Sequence, residues 1–485
     1  MRGAGVKFRS VGITLAAISI AGALQACATA PQEEHLAQPR ELQSYKTTQV
    51  FTASVVEWPE ENWWRRYGDP QLDALIQAGL SNSPTMASAQ ARIRAAEATA
   101  QQSKAAITPS ATLNGQALDQ KTSGNLVVAQ RNTGRAYDLD WTPQATLNFA
   151  YEFDFWGKNR KLLAAATSDA FAARADASAA SLSLSTSIAA AYGEYRRLEL
   201  VRSVNEDAIR IKQRTLDIVL RRIKSGLDAD TERTQAQAGL YSARADLAAT
   251  NELIALQRDQ LAYLVSGGPD FGLSIVDPVV PKLPASLGLP VSLPLDLLGR
   301  RPDLVAARAR IESAKGRTAA ARSDFYPNLN LSALVGVQSV GVSRLSLSQS
   351  AIANFGPALK LPLFDGGRLA GAYRTAEANS DLAVASYNSA LDQALKDVAD
   401  AIQSQRALEV RHQETEAAYQ VSTRAYQGAS RRYAAGLTAY VNVLTAETSL
   451  ISAQRVLNDL DARGFTLDVQ LVKALGGGFS SPTSP

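Results

Sequence analysis

Cysteine and histidine are almost missing from this chain: among 485 residues there is one cysteine, Cys27, and two histidines, His35 and His412. A single thiol excludes an intramolecular disulfide, a thiolate zinc site and a cysteine-ligated iron–sulfur cluster. Two separated imidazoles exclude a His-rich metal centre or proton relay. A site built from carboxylates alone stays open. A surplus of one charge is also lacking, since 50 Lys and Arg stand against 46 Asp and Glu, leaving +4. That is too small to mark a nucleic-acid surface, so no nucleic-acid partner is expected. The hydrophobic fraction of 46% is that of a folded protein. Past the N-terminus no apolar run reaches the length of about 20 residues that a membrane helix needs. If the mature chain crosses a bilayer, strands must do it.

The N-terminus explains the lone thiol. Arg2, Lys7 and Arg9 precede the apolar run VGITLAAISIAGAL, the n- and h-regions of a secretory signal. Leu24-Gln25-Ala26-Cys27 then resembles a bacterial lipobox. Cleavage is expected to remove residues 1–26 and leave Cys27 as a lipidated first residue, carrying diacylglycerol and an N-acyl chain. No other cofactor and no metal are expected. Ala28 follows, where an aspartate would signal retention at the inner membrane, so the outer membrane is the expected address. Residues 27–62, rich in Pro, Glu and Gln around 28–60, read as an extended tether.

Order is expected from Trp63-Trp64. Leu72, Leu75, Ile76 and Leu80 share one helical face. Asn82-Ser83-Pro84 interrupts, with Ser83 or Asn82 as cap, and an Ala- and Gln-rich helix runs to about Ala106. The period then becomes two. Leu139, Trp141, Ala145, Leu147, Phe149, Tyr151, Phe153 and Phe155 alternate with Asp138, Asp140, Thr142, Gln144, Thr146, Asn148, Glu152 and Asp154. This predicts a long strand with one apolar and one polar face, partnered at about 109–119 across a loop at 120–136. By pattern alone it could equally belong to a periplasmic sandwich.

From Gly157 a helical pattern runs for about 110 residues with a break at 224–230. Ile209, Leu216 and Ile223 repeat every seven residues, as do Leu240, Leu247, Ile254 and Leu261 on the return. Sixty-odd helical residues rise roughly 90–100 Å, which predicts a projecting hairpin. Residues 269–300 read as a linker, and the same order of elements then recurs. An offset of 218 pairs Arg92 with Arg310, Ile93 with Ile311, Pro109 with Pro327 and Leu113 with Leu331. An offset of 210 pairs Gly226-Leu227 with Gly436-Leu437 and Leu240 with Leu450. The first repeat is placed at 63–268 and the second at 301–475, with a flexible tail at 476–485. The second half alternates at 329–337 and 355–363, then carries Val384, Leu391 and Val398 outward and Val443, Leu450 and Leu457 back. Each half thus supplies two strands and one long hairpin. Four strands leave open edges that lipid does not tolerate, so oligomerisation is expected.

Several stretches together resemble the outer membrane efflux protein family, in particular NodT-type lipoproteins that serve as outer membrane factors of tripartite pumps. They are Trp63-Trp64 through Gly68-Asp69-Pro70-Gln71-Leu72, Tyr151-Glu152-Phe153-Asp154-Phe155-Trp156-Gly157-Lys158, Arg300-Arg301-Pro302-Asp303-Leu304, Phe325-Tyr326-Pro327, Leu361-Pro362-Leu363-Phe364-Asp365-Gly366-Gly367-Arg368 and Tyr433-Ala434-Ala435-Gly436-Leu437. The resemblance implies a mixed α/β membrane protein: a homotrimer whose transmembrane β-barrel, four strands per chain, continues into a long periplasmic α-helical barrel with a mixed equatorial region. It implies a passive outer-membrane duct for small molecules such as drugs or toxins, fed by a periplasmic adaptor and an inner-membrane transporter, with no enzymatic role. The hairpin tips would form the entrance. Asp228, Asp230 and Glu232 are constriction candidates, as are Asn442 and Thr445, where some relatives carry acids. Arg222, Gly226, Leu227, Arg432, Gly436 and Leu437 are candidates for adaptor docking. For the three acids a solvated helix cap and first turn is the competing reading. A duct for protein secretion would share this fold, and a structural lipoprotein without a channel is a further alternative.

Overall fold

The computed structural model describes residues 37–41, 45, 57–121, 140–278, 298–346 and 348–481. The expected signal segment, Cys27, most of the tether, the loop between the first two strands and the core of the linker lie outside the described residues.

Helix α1 spans Pro70–Asn82 and α2 spans Pro84–Ala105. Asp69 caps α1 by accepting from the Gln71 and Leu72 amides at 2.9 and 3.2 Å, while Pro70 sits where no donor is needed. Of the two candidate caps for α2, Ser83 takes the role, its Oγ accepting from the Thr85 amide at 3.1 Å. Strands β1 (Ser110–Gln120) and β2 (Asp140–Phe153) follow, then α3 (Lys158–Lys224), α4 (Asp230–Leu264) and the short α5 (Pro269–Leu273). The second half contributes α6 (Pro302–Ser323), β3 (Asn328–Gln338), β4 (Ala351–Lys360), α7 (Arg368–Ala434) and α8 (Tyr440–Ala474). The duplication is visible in these bounds. α2 and α6 are both 22 residues and start 218 apart; α3 and α7 are both 67 and start 210 apart.

The chain divides into two compact units, each drawing on both halves. Of the described residues, the first takes Ala37 and Gln38 together with those of Arg94–Phe171 and Arg308–Ser386. It holds one antiparallel sheet in the order β1-β2-β3-β4. All four strands join helices at the same end of this sheet. Aspartates turn the two strand-to-helix corners: Asp154 accepts from the Asn159 and Arg160 amides, and Asp365 from those of Gly367 and Leu369. Such caps contribute about 1 kcal/mol each. They also end the strands earlier than the alternation suggests. β2 stops at Phe153 rather than Phe155, and β4 at Lys360, before Pro362, which has no amide to give. Lys161 ties α3 to α6 through the Ala319 carbonyl and Ser323 Oγ, at 3.3 and 3.1 Å.

The second unit comprises Pro39–Ile93, Ala172–Ala307 and Tyr387–Pro485. Its main core gathers Trp63, Trp64 and Tyr67 with Leu72 and Ile76 of α1, Ile188 and Tyr192 of α3, Leu261 of α4 and Phe465 of α8. Arg66 and Tyr67 both bond the buried Asp468. Of the heptad positions, Leu216, Leu240, Ile254, Leu261, Val384, Leu391, Val398, Val443, Leu450 and Leu457 are buried, while Ile209, Ile223 and Leu247 are half-buried. One expectation is corrected. The segment read as a flexible tail from 476 is packed through Gly478: Gly476, Gly477 and Gly478 adopt positive φ, Gly476 and Gly478 fit against other backbone, and Gly477 fits against the Leu182 side chain. At Gly476 and Gly478 a side chain would not fit.

Candidate functional site

The first unit's sheet separates its two faces completely by parity. Every register in it pairs odd residues with odd and even with even. The odd face presents Ala111 and Leu113 beside Leu147 and Phe149 of β2, then Ala333 and Val335 of β3, then Phe355 and Ala353 of β4. Leu113, Phe149, Val335, Phe355 and Leu359 are all exposed on it. A sheet face this apolar and this uncovered is made for a hydrocarbon environment. Tyr151, Phe153 and Phe155 extend it toward the helix end as an aromatic row, with ring centroids 5.0 and 5.8 Å apart. Trp141 is exposed at the other end of the same face. Trp156 leaves that row, stacking on Tyr326 at 4.6 Å and donating to the Pro327 carbonyl at 2.8 Å.

The even face is amide and hydroxyl. Gln116 Nε2 donates to Gln144 Oε1 at 2.7 Å, Asn148 Nδ2 to Thr146 Oγ1 at 3.2 Å, and Thr142 Oγ1 to the Leu118 carbonyl at 2.9 Å. At the helix end Asn328 Nδ2 donates to Glu152 at 2.7 Å. β1 and β4 each pair on one side only, so both sheet edges offer free backbone groups within the described strands. A two-faced sheet with open edges is a segment of a barrel wall, apolar side out and polar side in.

In the second unit, the tips of the two hairpins repeat one backbone device. At the first, the Gly226 amide donates to Ile223 O and the Leu227 amide to Arg222 O, both at 2.9 Å. At the second, Gly436 donates to Tyr433 O and Leu437 to Arg432 O, at 2.9 and 2.8 Å. These are Schellman ends, and Gly226 and Gly436 supply the left-handed φ of 71° and 77° that they require. Leu227 and Leu437 stand 63% and 68% exposed.

The side chains differ between the tips. Arg222 grips Asp228 with two bonds of 2.8 and 3.0 Å and donates a third to the Tyr433 carbonyl at 2.8 Å. The Tyr433 hydroxyl donates to the same Asp228, and the guanidinium lies 4.5 Å from the ring centre. Arg222 and Asp228, read from sequence as separate docking and constriction candidates, therefore satisfy each other and latch α3 to α7. Arg432, the positional counterpart, is exposed. Asp230 is exposed and paired with Arg233, while Glu232 accepts from the Ala229 amide at 3.2 Å as part of the α4 cap. Asn442 donates to Thr438 Oγ1, just ahead of α8, and Thr445 to the Val441 carbonyl within it. Below the tips Leu216, Val219, Ala236, Leu240, Tyr433, Tyr440 and Val443 form one cluster from four helices. Deeper still, the buried Glu447 accepts from Lys212 at 2.7 Å and Thr215 at 2.9 Å. Tyr433 enters the sequence analysis only within a family-resembling stretch, and Glu447 not at all; their partners lie more than 200 residues away, which no local pattern reveals.

The latch has a pH signature. Hydrogen bonds from Arg222 hold the Asp228 carboxyl below its ordinary value, with Tyr433 adding to the effect. Folding therefore favours the ionised form. That contribution is complete above the ordinary carboxylate range near pH 4 and is lost as the pH falls through the depressed folded value. Asp228→Asn is expected to destabilise the tips by about 2 kcal/mol, between the values for exposed and buried pairs. It should also remove the acid-dependent step from hydrogen exchange at Arg222–Leu227. An unchanged step would show that the latch contributes nothing.

Among the described residues no three His, Cys, Asp or Glu side chains cluster as a metal site, and no helix is long and apolar enough to cross a membrane. The outer membrane efflux protein family profile matches residues 75–267 and 293–477. The fusaric acid resistance protein FusA of Burkholderia cepacia is 35% identical over 320 residues, covering 64% of this chain and 59% of that protein. This match thus spans less than two thirds of FusA. The multidrug resistance outer membrane protein MdtP of Escherichia coli O157:H7 is 32% identical over 354 residues, covering 70% and 71%. The crystal structure of the outer membrane protein VceC from Vibrio cholerae superposes with a TM-score of 0.81 at 40% identity, covering 87% of this chain and all of that one. With the family profile spanning most of its length, the chain belongs to the outer membrane efflux protein family, as an outer-membrane channel with a periplasmic extension.

Proposed function

We propose that this channel is the exit duct of a tripartite efflux system, passively conducting small organic molecules such as drugs or toxins handed on by a periplasmic adaptor and an inner-membrane pump. The observation that carries the reading is the sheet, apolar on one face, hydrogen-bonding on the other, and open at both edges. Family members form trimeric channels that work with such partners. Three copies would supply twelve strands, and β4 of one would pair with β1 of the next. The names of FusA and MdtP, which refer to fusaric acid and multidrug resistance, support small organic cargo.

Lipidation of Cys27 fits the chain's dimensions. The Ala37 amide donates to Asp381 on α7 at 2.9 Å. Asp381 lies about 20 Å along that helix from its start at Arg368, next to the strands. The ten residues from Cys27 to Ala37 reach at most about 35 Å, enough to return a lipid to the membrane. Further along, Arg40 and Tyr45 bond Asn388 and Asp392 and fasten the tether.

The tips would receive the adaptor. Exposed Leu227 and Leu437, set by Gly226 and Gly436 and flanked by Arg222 and Arg432, are the docking residues. Asp230, Glu232, Asn442 and Thr445 would face the entrance, with Asp228 held in its latch. Deleting the gene should raise cellular accumulation of efflux dyes and organic antimicrobials, and the intact chain should restore their export. No change for any compound, together with loss of an exported protein, would transfer the chain to protein secretion. Leu227→Cys and Leu437→Cys should crosslink to the co-purified adaptor; failure at both tips in an intact trimer would remove the docking assignment.

A further inference from the structure

The even face of the sheet has a property beyond being polar: it is uncharged along its middle. On β1 it presents Asn114 and Gln116, on β2 Gln144 and Asn148, and on β4 Asn354. Among the described side chains of this face the ionisable ones are Glu152 and Lys360, of opposite sign. Both stand at the helix end, in the registers of Asn330 and Asn328. Asp140 occupies the matching register at the far end, opposite Gln120. The band between these ends holds amides, hydroxyls, small residues and a few aliphatic side chains.

Charged rings set the sign preference of a narrow pore, because a low-dielectric wall focuses their field on the solute. A carboxamide offers a carbonyl to a cation and an N–H to an anion from the same side chain. We infer that the barrel section is a charge-indifferent exit, admitting cationic, anionic and uncharged organic solutes alike, so that sign selection resides elsewhere in the pathway. This rests on the reading of the chain as an outer-membrane duct and specifies the class of cargo its last section accepts.

Thiol chemistry tests it, since Cys27 is the chain's single native cysteine. Asn148→Cys on the even face and Leu147→Cys on the odd face are placed in the assembled channel in lipid. Membrane-impermeant cationic, anionic and neutral methanethiosulfonates are applied from outside, and modification is read by mass. Rates are normalised to 2-mercaptoethanol and to the unsubstituted channel. At Asn148→Cys the normalised cation-to-anion ratio should stay within about twofold of unity, and adding Asn354→Asp should raise it at least about threefold. A bias of about tenfold with the native wall would overturn charge indifference while leaving the duct intact. Reaction at Leu147→Cys but not at Asn148→Cys would instead overturn the assignment of the even face to the lumen, and the duct reading with it. Gln144→Cys, two rows along the same face, answers the same question if Asn148→Cys does not assemble.

Discussion

Gly476→Ala and Gly478→Ala are each expected to cost about 3 kcal/mol and to deplete folded protein, although neither touches the sheet or the hairpin tips. Two effects add. Both glycines hold left-handed backbone, with φ of 91° and 82°, which costs a residue with a Cβ about 1–2 kcal/mol. A Cβ also has nowhere to go: at Gly476 it overlaps the Arg300 carbonyl, and at Gly478 the peptide joining Glu60 to Glu61. These are backbone atoms, which cannot swing aside, and overpacking of this kind costs a further 1–3 kcal/mol, roughly. The run ends α8 in a Schellman turn, with the Gly477 amide donating to Val472 O at 2.9 Å. Nearby, Arg301 reaches the Ala474 carbonyl and Asp397. Three chain segments, near residues 60, 300 and 476, are thereby stitched together. Gly428→Ala is the matched control. It lies inside α7 with nothing within 4 Å of a new Cβ, and should stabilise by about 0.5–1 kcal/mol. Thermal unfolding of the purified channel distinguishes the two. Equal, small shifts at all three positions would refute the wedge.

Periodic features were legible in the sequence and convergent ones were not. The alternation from Trp141 to Phe153 identified both faces of β2, because a strand places every second side chain on one side whatever its partners are. The heptads at Leu216, Leu240, Leu391 and Val443 gave the buried seams for the same reason, and the offsets of 218 and 210 gave the duplication. The Ser83 cap and the glycine turns at 226 and 436 were local and could be read locally. The latch could not. Arg222 and Asp228 are six residues apart, close enough to suspect, but Tyr433 comes from the other repeat and completes the set only when the two hairpins pack. Glu447 with Lys212 and Thr215 is the same case. The packing of the glycine run at 476–478 is not legible in sequence, because glycine has two uses, flexibility and close approach, and composition alone does not say which applies.

Leu331→Arg is expected to abolish assembly in the outer membrane, and Ser332→Arg, one residue along, to leave it nearly intact. Leu331, the fourth of the eleven residues of β3, lies on the odd face between Tyr151 and Pro357, whereas Ser332 lies between Ala150 and Gly356 on the even face. An arginine on the lipid face of a barrel costs about 2–4 kcal/mol near the bilayer midplane, because its charge must be taken out of water or pull water in. In a trimer the cost is incurred three times over. On the lumenal face the same guanidinium stays hydrated, among the amides that already line the wall, and narrows the passage without opposing insertion. Both variants add one arginine and one positive charge at neighbouring positions of the same strand, so the face to which that charge points is the main difference between them. Heat-modifiable trimer recovered from outer-membrane fractions measures the difference directly. Equal loss in both variants would mean that β3 tolerates no bulk at its centre. Loss at Ser332→Arg alone would mean that the faces are reversed and the amide wall meets lipid. The expected pattern, loss at 331 and retention at 332, follows from the even-sum registers that run unbroken across all four strands.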